Sequence, residues 1–381
     1  MKEIAIFVLL GIIFFSCTNK NGNSQTEGEV IDFGNLGQAK ASKILTNYNF
    51  VELETNDSCL IGYIDKIEVY KDKIYIQDSY GSHSILVFTM HGKHIATLSN
   101  KGNGPGEFIS PDDFFIDSQG YLLVLDRMQS RLLKYRLDDL AFVEEISMPL
   151  ESPVSVSYMD LEGLYLYYYP QTRSMGEDKR QIFAATPNGE IKSRYLDLGV
   201  PGKVLYGGTR NFYTFNNRLI FYPSLSDKLY EATADSARCR YSLVFGENKI
   251  PDQNFFNKFT SQDKIMDELL GGSQDFICHI IAYESKEVLL VNYYVKKDFY
   301  CGMWFKKERK SLNFYYEDVD DDLGIGGKFP RIVGMYDNQF IGRISLSDID
   351  IDFVKEPQLK ALLSDYSEDN NPVLVFFTPG L

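Results

Sequence analysis

Ile67-Glu68-Val69-Tyr70 alternates in polarity and is followed by Lys71-Asp72-Lys73 and by Ile74-Tyr75-Ile76-Gln77-Asp78. Ile85-Leu86-Val87-Phe88, the turn Met90-His91-Gly92-Lys93 and a run from His94 to Leu98 complete the stretch. Residues that alternate with period two, rich in β-branched and aromatic types and broken by turn formers, predict strands. The stretch therefore reads as one four-stranded antiparallel meander. It returns ~48 residues later, element by element, as a repeat of propeller length. Phe114 to Asp117, the turn Ser118-Gln119-Gly120, Tyr121 to Asp126, Arg131 to Tyr135, the turn Asp138-Asp139 and Phe142 to Ile146 make the copy. Asp78 and Asp126 end the second strand of each.

Weaker copies run from Pro153 to Leu198, Asn211 to Phe245 and Phe276 to Tyr316, and a last one starts at Phe329 and ends in Pro372-Val373-Leu374-Val375-Phe376-Phe377. Repeats of this length with four strands each are the signature of a propeller, and residues 44–381 at roughly 55 per repeat give six blades. Asn49 to Thr55 is an extra strand ahead of the first full copy. It is expected to complete the C-terminal blade and so close the ring, leaving no open sheet edge. The fold class is all-β: a six-bladed β-propeller of four-stranded antiparallel blades, closed by an N-terminal strand. Two β-sandwich domains are the rival, but no linker interrupts the repeat in mid-chain. Helical spacing occurs only at Asp263–Leu270 and Pro357–Asp365, read as insertions.

Three segments are expected: a signal at 1–16, a flexible tether at 17–43 and the propeller at 44–381. Ile4 to Phe15 is an apolar run of signal-peptide size, too short to span a bilayer. Ser16-Cys17 ends it in the manner of a bacterial lipobox, with Cys17 the lipidated residue. Thr18 to about Lys43 is polar and rich in Asn, Gly, Ser and Gln, the composition of a tether. Acidic residues are missing just after Cys17, which favours the periplasmic face of the outer membrane over the cell surface.

The chain has 381 residues and a net charge of −14, from 53 Asp+Glu against 39 Lys+Arg. That balance excludes a nucleic-acid binder, whose phosphate contacts need clustered Lys and Arg. The 26 Tyr and 27 Phe are mainly material for packing between sheets; the run Tyr165-Leu166-Tyr167-Tyr168-Tyr169 reads equally as a carbohydrate platform or as a strand whose alternate Tyr pack between blades. Apart from Cys17, Cys59, Cys239, Cys278 and Cys301 have no metal-ligand spacing. They are expected to stay mostly as buried thiols, with Cys278–Cys301 the exception, on adjacent strands.

Lys101-Gly102-Asn103-Gly104-Pro105-Gly106-Glu107-Phe108 resembles the signature of the six-bladed β-propeller lipoproteins common in Bacteroides. The first strand Phe50-Val51-Glu52-Leu53-Glu54-Thr55 resembles that family's too. So do the acidic, glycine-rich loop from Asp320 to Gly327 before Phe329-Pro330 and the ending Asp369-Asn370-Asn371-Pro372. The resemblance covers roughly 44–381. It implies the propeller fold and an envelope location, with no settled catalytic set. More distant kin with NHL-like repeats include lyases and scaffold or sensor modules.

The glycines of Gly102–Gly106 are read as an inter-blade turn, because neither a Walker nor a Rossmann loop pattern is present. Glu317 to Asp322 holds five carboxylates in six residues. The segment fails the EF-hand pattern and is read as a solvated loop. Asp348, Asp350 and Asp352 alternate as they would on one strand face. In a propeller the innermost strands line the channel. Repeat alignment nominates Tyr63, Asp65, Asp112, Asp113, Ser152, Arg210, His279 and Arg331 there, with Arg127 on a loop beside Asp126. Arg210 and Arg331 near one axis suggest an anionic ligand, or else structural ion pairs with Asp65 and Asp112. Asp235-Ser236-Ala237 resembles a Bacteroides O-glycosylation acceptor, with Ser236 as the modified residue. No catalytic residues, metal or cofactor are assigned. The leading function is a non-catalytic, envelope-anchored module that binds a small ligand, a glycan or an envelope protein. The alternative is a lyase or hydrolase acting on a saccharide or peptide-derived substrate.

Overall fold

The computed structural model describes residues 28–170, 178–197, 210–223, 225–364, 366–367 and 369–381. The signal segment and Cys17 lie outside them. The described strands form six sheets in a ring, each an antiparallel meander of four. Blade 1 holds Lys66–Tyr70, Lys73–Asp78, Ser84–Thr89 and His94–Leu98. Blade 2 spans Asp113–Ile146, blade 3 Ser155–Asp197, blade 4 Phe212–Val244 and blade 5 Ile277–Tyr315. Blade 6 joins Arg331–Tyr336, Gln339–Ile344 and Val373–Pro379 to Leu45–Glu52. The N-terminal strand thus closes the ring as the repeat pattern requires, with Phe50 opposite Val375.

The period-two pattern explains why the sheets stack into a ring. In blade 1, Ile74, Ile76, Leu86 and Phe88 pack toward blade 6, against Ile341, Leu374 and Phe376. The intervening Tyr75, Ile85 and Val87 pack toward blade 2, against Phe114, Leu122 and Val124. Blade 2 repeats the division, with Leu123 and Leu125 facing blade 3. Tyr165, Tyr167 and Tyr169 lie in that same interface, as expected for inter-blade packing. The helix at Gln262–Gly271, with a second at Gln253–Asn257, sits between blades 4 and 5 and buries Ile265 and Leu269. Pro357–Leu362 is inserted in blade 6. Among the described residues no helix is long and apolar enough to cross a membrane.

Near the axis the blades are joined by polar contacts. Lys66 Nζ of blade 1 lies 2.9 Å from Asp113 Oδ1 of blade 2, and both side chains are buried. Ser155 Oγ of blade 3 donates to Asp113 Oδ2 at 2.6 Å, and the Asn211 backbone N–H of blade 4 donates to Ser155 Oγ. Asn292 Nδ2 of blade 5 reaches the Ile332 carbonyl of blade 6 at 2.9 Å, while its Oδ1 accepts from the Tyr316 hydroxyl.

The structure corrects several expectations. Residues 28–43 are not a tether. Glu29–Asp32 adds to blade 4 as a fifth, parallel strand, with Ile31 opposite Leu243. Phe33 stacks on Phe245, and the Gly37 N–H donates to the Asn313 carbonyl of blade 5. The segment is a belt across blades 4, 5 and 6, held by its buried apolar side chains Ile31, Phe33, Ala39 and Ala41 in a mostly polar run. The acidic loop anchors it: Asp322 accepts from the Ser42 N–H and hydroxyl, and Asp321 accepts from the Ile325 and Gly327 N–H groups. Asp348 and Asp352 belong to two short 3-10 turns, Leu346–Asp348 and Ile351–Phe353, rather than one strand. Cys278 and Cys301 form no disulfide, because Val288–Val295 lies between their strands. Two strand spacings, about 10 Å, exceed the reach of a disulfide. The Gly102–Gly106 turn is structural, as expected. Gly106 has φ +71°, and a Cβ there would meet the Phe142 ring at 2.6 Å.

Removing one partner of a buried ion pair strands the other, at a cost of about 3–5 kcal/mol. Asp113→Ala is therefore expected to lower unfolding free energy by about that amount in urea titration. Adding Lys66→Met to it is expected to restore part of the loss.

Candidate functional site

Each innermost strand begins at one end of the channel, here the upper face, and runs to the lower face. Tyr63, Asp65, His279 and Arg331 come together at the upper end, lining a cleft of about 510 Å³ with Tyr80, Tyr294 and Arg343. Tyr63 and Tyr80 meet edge to face, with ring centroids 6.2 Å apart, and are 44% and 77% exposed. Arg343 lies over the Tyr63 ring with Cζ 5.9 Å from its centroid, steadied by Ser345 and Asp348. Arg331 lies over Phe299 at 5.3 Å. The floor is apolar, made by Ile64, Ile281 and Ile332. The cleft thus offers an aromatic wall, one carboxylate, Asp65, and two guanidinium groups.

Asp65 and Asp112 occupy one repeat position and do one structural task. Asp65 accepts from the Ser79 N–H at 2.6 Å, and Asp112 accepts from the Arg127 N–H at 2.8 Å. Each fixes the turn after the second strand of its own blade. The repeat residues Asp78 and Asp126 do likewise: Asp78 binds the Gly62, Gly81 and Ser82 N–H groups, and Asp126 those of Ile109 and Gln129. Burial pushes the Asp65 carboxyl up to about 6, opposed by its bonds to Ser79. Burial also raises Asp112, against the Arg127 N–H and charge. Burial lowers His279 to about 4, so it is neutral at physiological pH.

The remaining nominees do not join the cleft. Asp113 is turned into the inter-blade ion pair, and Arg210 lines a second cavity of about 460 Å³ that opens on the lower face. Arg210 and Arg331 therefore do not converge. The described ion pairs also do not couple either Arg to Asp65 or Asp112, because those carboxylates are committed to backbone N–H groups. Tyr80, Tyr294 and Arg343 were missing from the sequence nomination, which used only innermost strands. Their signal was available: all three lie at or just past the upper ends of second strands, where Asp78 already marked the repeat. Ser236 is exposed in the hairpin turn Thr233–Ser236 of blade 4.

Residues 19–343 match the sequence profile of the family described as 6-bladed beta-propeller. A crystal structure of a Bacteroides fragilis protein assigned as exported aligns with TM-score 0.81 at 22% identity, over 91% of this chain and 98% of its own. Virginiamycin B lyase from Staphylococcus aureus aligns with TM-score 0.41 at 10% identity, over 87% of this chain and 100% of its own. Hydrazine synthase from Kuenenia stuttgartiensis gives 0.43 at 11%, over 85% and 89%. The last two are too distant to carry an argument.

The two shifted groups pull stability in opposite directions with pH. Asp65 is raised from 3.8 to about 6, so its contribution is complete below the lower value and lost as pH rises through the upper. His279 is lowered from 6.5 to about 4, so its contribution is complete above the upper value and lost as pH falls through the lower. Asp65→Asn, which keeps an oxygen for Ser79, is expected to raise stability at pH 7.5 and change little at pH 3.5. His279→Gln is expected to flatten the acid side instead. Urea titrations across that range separate the two.

Proposed function

The chain belongs to the 6-bladed beta-propeller family, and on that premise we propose that it is a binding or interaction module of the cell envelope whose ligand occupies the upper mouth. The observation behind this reading is the cleft itself. Its volume lies within the roughly 300–1,000 Å³ of ordinary ligand sites, and its few polar groups converge above an apolar floor. Exposed Tyr63 and Tyr80 beside Arg331 and Arg343 suit a ligand that has a flat or apolar face and an acidic group, such as an acidic glycan or a peptide.

The Bacteroides fragilis relative is assigned as exported, which supports an extracytoplasmic location. In this reading Cys17 carries the lipid that holds the protein to the outer membrane. Gly28 precedes a strand that runs parallel to the last strand of blade 4, and Glu29 pairs with Arg309 in a lower-face turn of blade 5. The belt therefore starts beside the middle of that strand, Glu29 opposite Tyr241, and runs away from the lower face. The span from Cys17 to Gly28 reaches at most about 40 Å when extended. A lipid on Cys17 would turn the lower face to the membrane and the upper mouth away from it. Ser236, in its exposed turn, is the proposed glycan acceptor.

A second reading, a lyase or hydrolase acting on a saccharide or peptide-derived substrate, draws on Asp65, whose carboxyl is poised near neutrality. A melting-shift screen of the mature protein against acidic glycans and peptides, followed by a turnover assay on each hit, decides between them. Binding without turnover is expected. Tyr80→Ala and Arg331→Ala are each expected to weaken a hit about tenfold or more with little change in Tm, as for exposed anchor residues. Product formation that Asp65→Asn abolishes would replace this reading with the second.

A further inference from the structure

Among the described residues Arg210 has no carboxylate partner. Its Nε and Nη1 are buried and make no hydrogen bond. The guanidinium lies over the Tyr283 ring, Cζ 4.3 Å from the centroid. That contact uses the face of the guanidinium and leaves the Nε and Nη1 hydrogens, which point outward in its plane, unsatisfied. Tyr222 is fully buried beside it with its hydroxyl also unpartnered, and Arg210 is the foremost charge acting on that hydroxyl. Unmet buried donors cost free energy, most of all on a charged group.

The carboxylates nearby are committed elsewhere. Asp113 is held by Lys66 and Ser155, and Lys66 also meets Glu68 at 3.2 Å. Glu284 takes Arg240, Lys306, Tyr213 and Tyr241. Arg210 lines the lower cavity, whereas Tyr283 lines the upper cleft, so their contact is where the two approach. Toward the lower rim the cavity turns net acidic, with Asp117, Asp160 and Asp337 on three blades against Lys286 on a fourth. From the level of Asp113 to that of Asp117 is four strand residues, about 13 Å.

A deep unpaired cation under an acidic rim selects a ligand with charge at both ends. The geometry points to a second binding site, in the lower cavity, for a short zwitterionic peptide whose C-terminal carboxylate meets Arg210 and whose ammonium group meets the rim carboxylates. A fully anionic ligand would be repelled by the rim, and a cation would leave Arg210 unmet. Tyr158, Tyr213 and Tyr336 line the intervening wall. An extended tetrapeptide, about 13–14 Å long, matches the depth. The site is separate from the upper mouth and does not rest on the function proposed for it.

The test is calorimetric titration of the mature chain with tetraglycine, N-acetyl-tetraglycine and tetraglycine amide at constant ionic strength. Tetraglycine is expected to bind at least tenfold more tightly than either blocked form. Arg210→Met is expected to abolish that preference and, without ligand, to melt at the same temperature or higher. Arg331→Ala is expected to leave tetraglycine affinity unchanged. Equal affinities for the three peptides, or tetraglycine binding that survives Arg210→Met, would overturn the proposal. If Arg210→Met fails to fold, the three-peptide comparison on the native chain still decides.

Discussion

A sheet that is apolar on both faces has no side to turn to water, and each blade of this protein is such a sheet. The second and third strands of blade 1 send Ile74, Ile76, Leu86 and Phe88 one way and Tyr75, Ile85 and Val87 the other. Either face left exposed would forfeit roughly 25 cal/mol for each Å² of apolar surface. Every blade therefore needs a neighbour on both sides, and only a closed ring gives that to all six. Closure in turn dictates that the last blade borrow Leu45–Glu52 from the other end of the chain. The same constraint makes the belt intelligible. Outermost strands keep an unpaired backbone edge, and Glu29–Asp32 covers the one on blade 4.

Packing between blades settles the ring but leaves the axis, where the innermost strands crowd together without pairing. Polar side chains occupy that seam and bond from blade to blade. Lys66, Asp113 and Ser155 tie three consecutive blades, and Asn292 ties the fifth to the sixth. Hydrogen bonds impose register where apolar contact would tolerate sliding. A seam built of charges is also where an unmatched one stands out, and among the described residues Arg210, just ahead of blade 4, is a cation that the bonded series leaves over.

The repeat was legible because it is written in local chemistry: alternation, turn residues and the recurring Asp at the end of a second strand. The blade limits and both longer insertions follow from it. The belt was not legible, since residues 28–43 are polar on average and their buried face is made by four residues alone, Ile31, Phe33, Ala39 and Ala41. The candidate site was half legible. Repeat alignment brought Tyr63, Asp65, His279 and Arg331 to one mouth, but it did not distinguish Asp112 from Asp113. Period two places those neighbours on opposite faces, one fixing a turn and the other sealed between blades. Arg210 and Arg331 were grouped because both precede an innermost strand. The depth at which each side chain settles depends on the neighbouring blades, which a single repeat does not encode.

The meander also explains why the two ends of the channel differ in kind. At the lower face consecutive strands are joined by tight turns such as Asn216-Asn217 and the one at Asp337, whose residues take positive φ. At the upper face the blades are linked by longer segments, for example 99–112 between blades 1 and 2. Short turns leave little room for insertion, so chemistry at the lower mouth is set by charges on the strands themselves. Longer links can change length without disturbing a sheet, so the upper mouth can be remodelled while the ring persists. Asp65, Asp78, Asp112 and Asp126 each fix one of those upper segments to its own blade. They hold the rim in shape and leave Tyr63, Tyr80, Arg331 and Arg343 to determine what it meets.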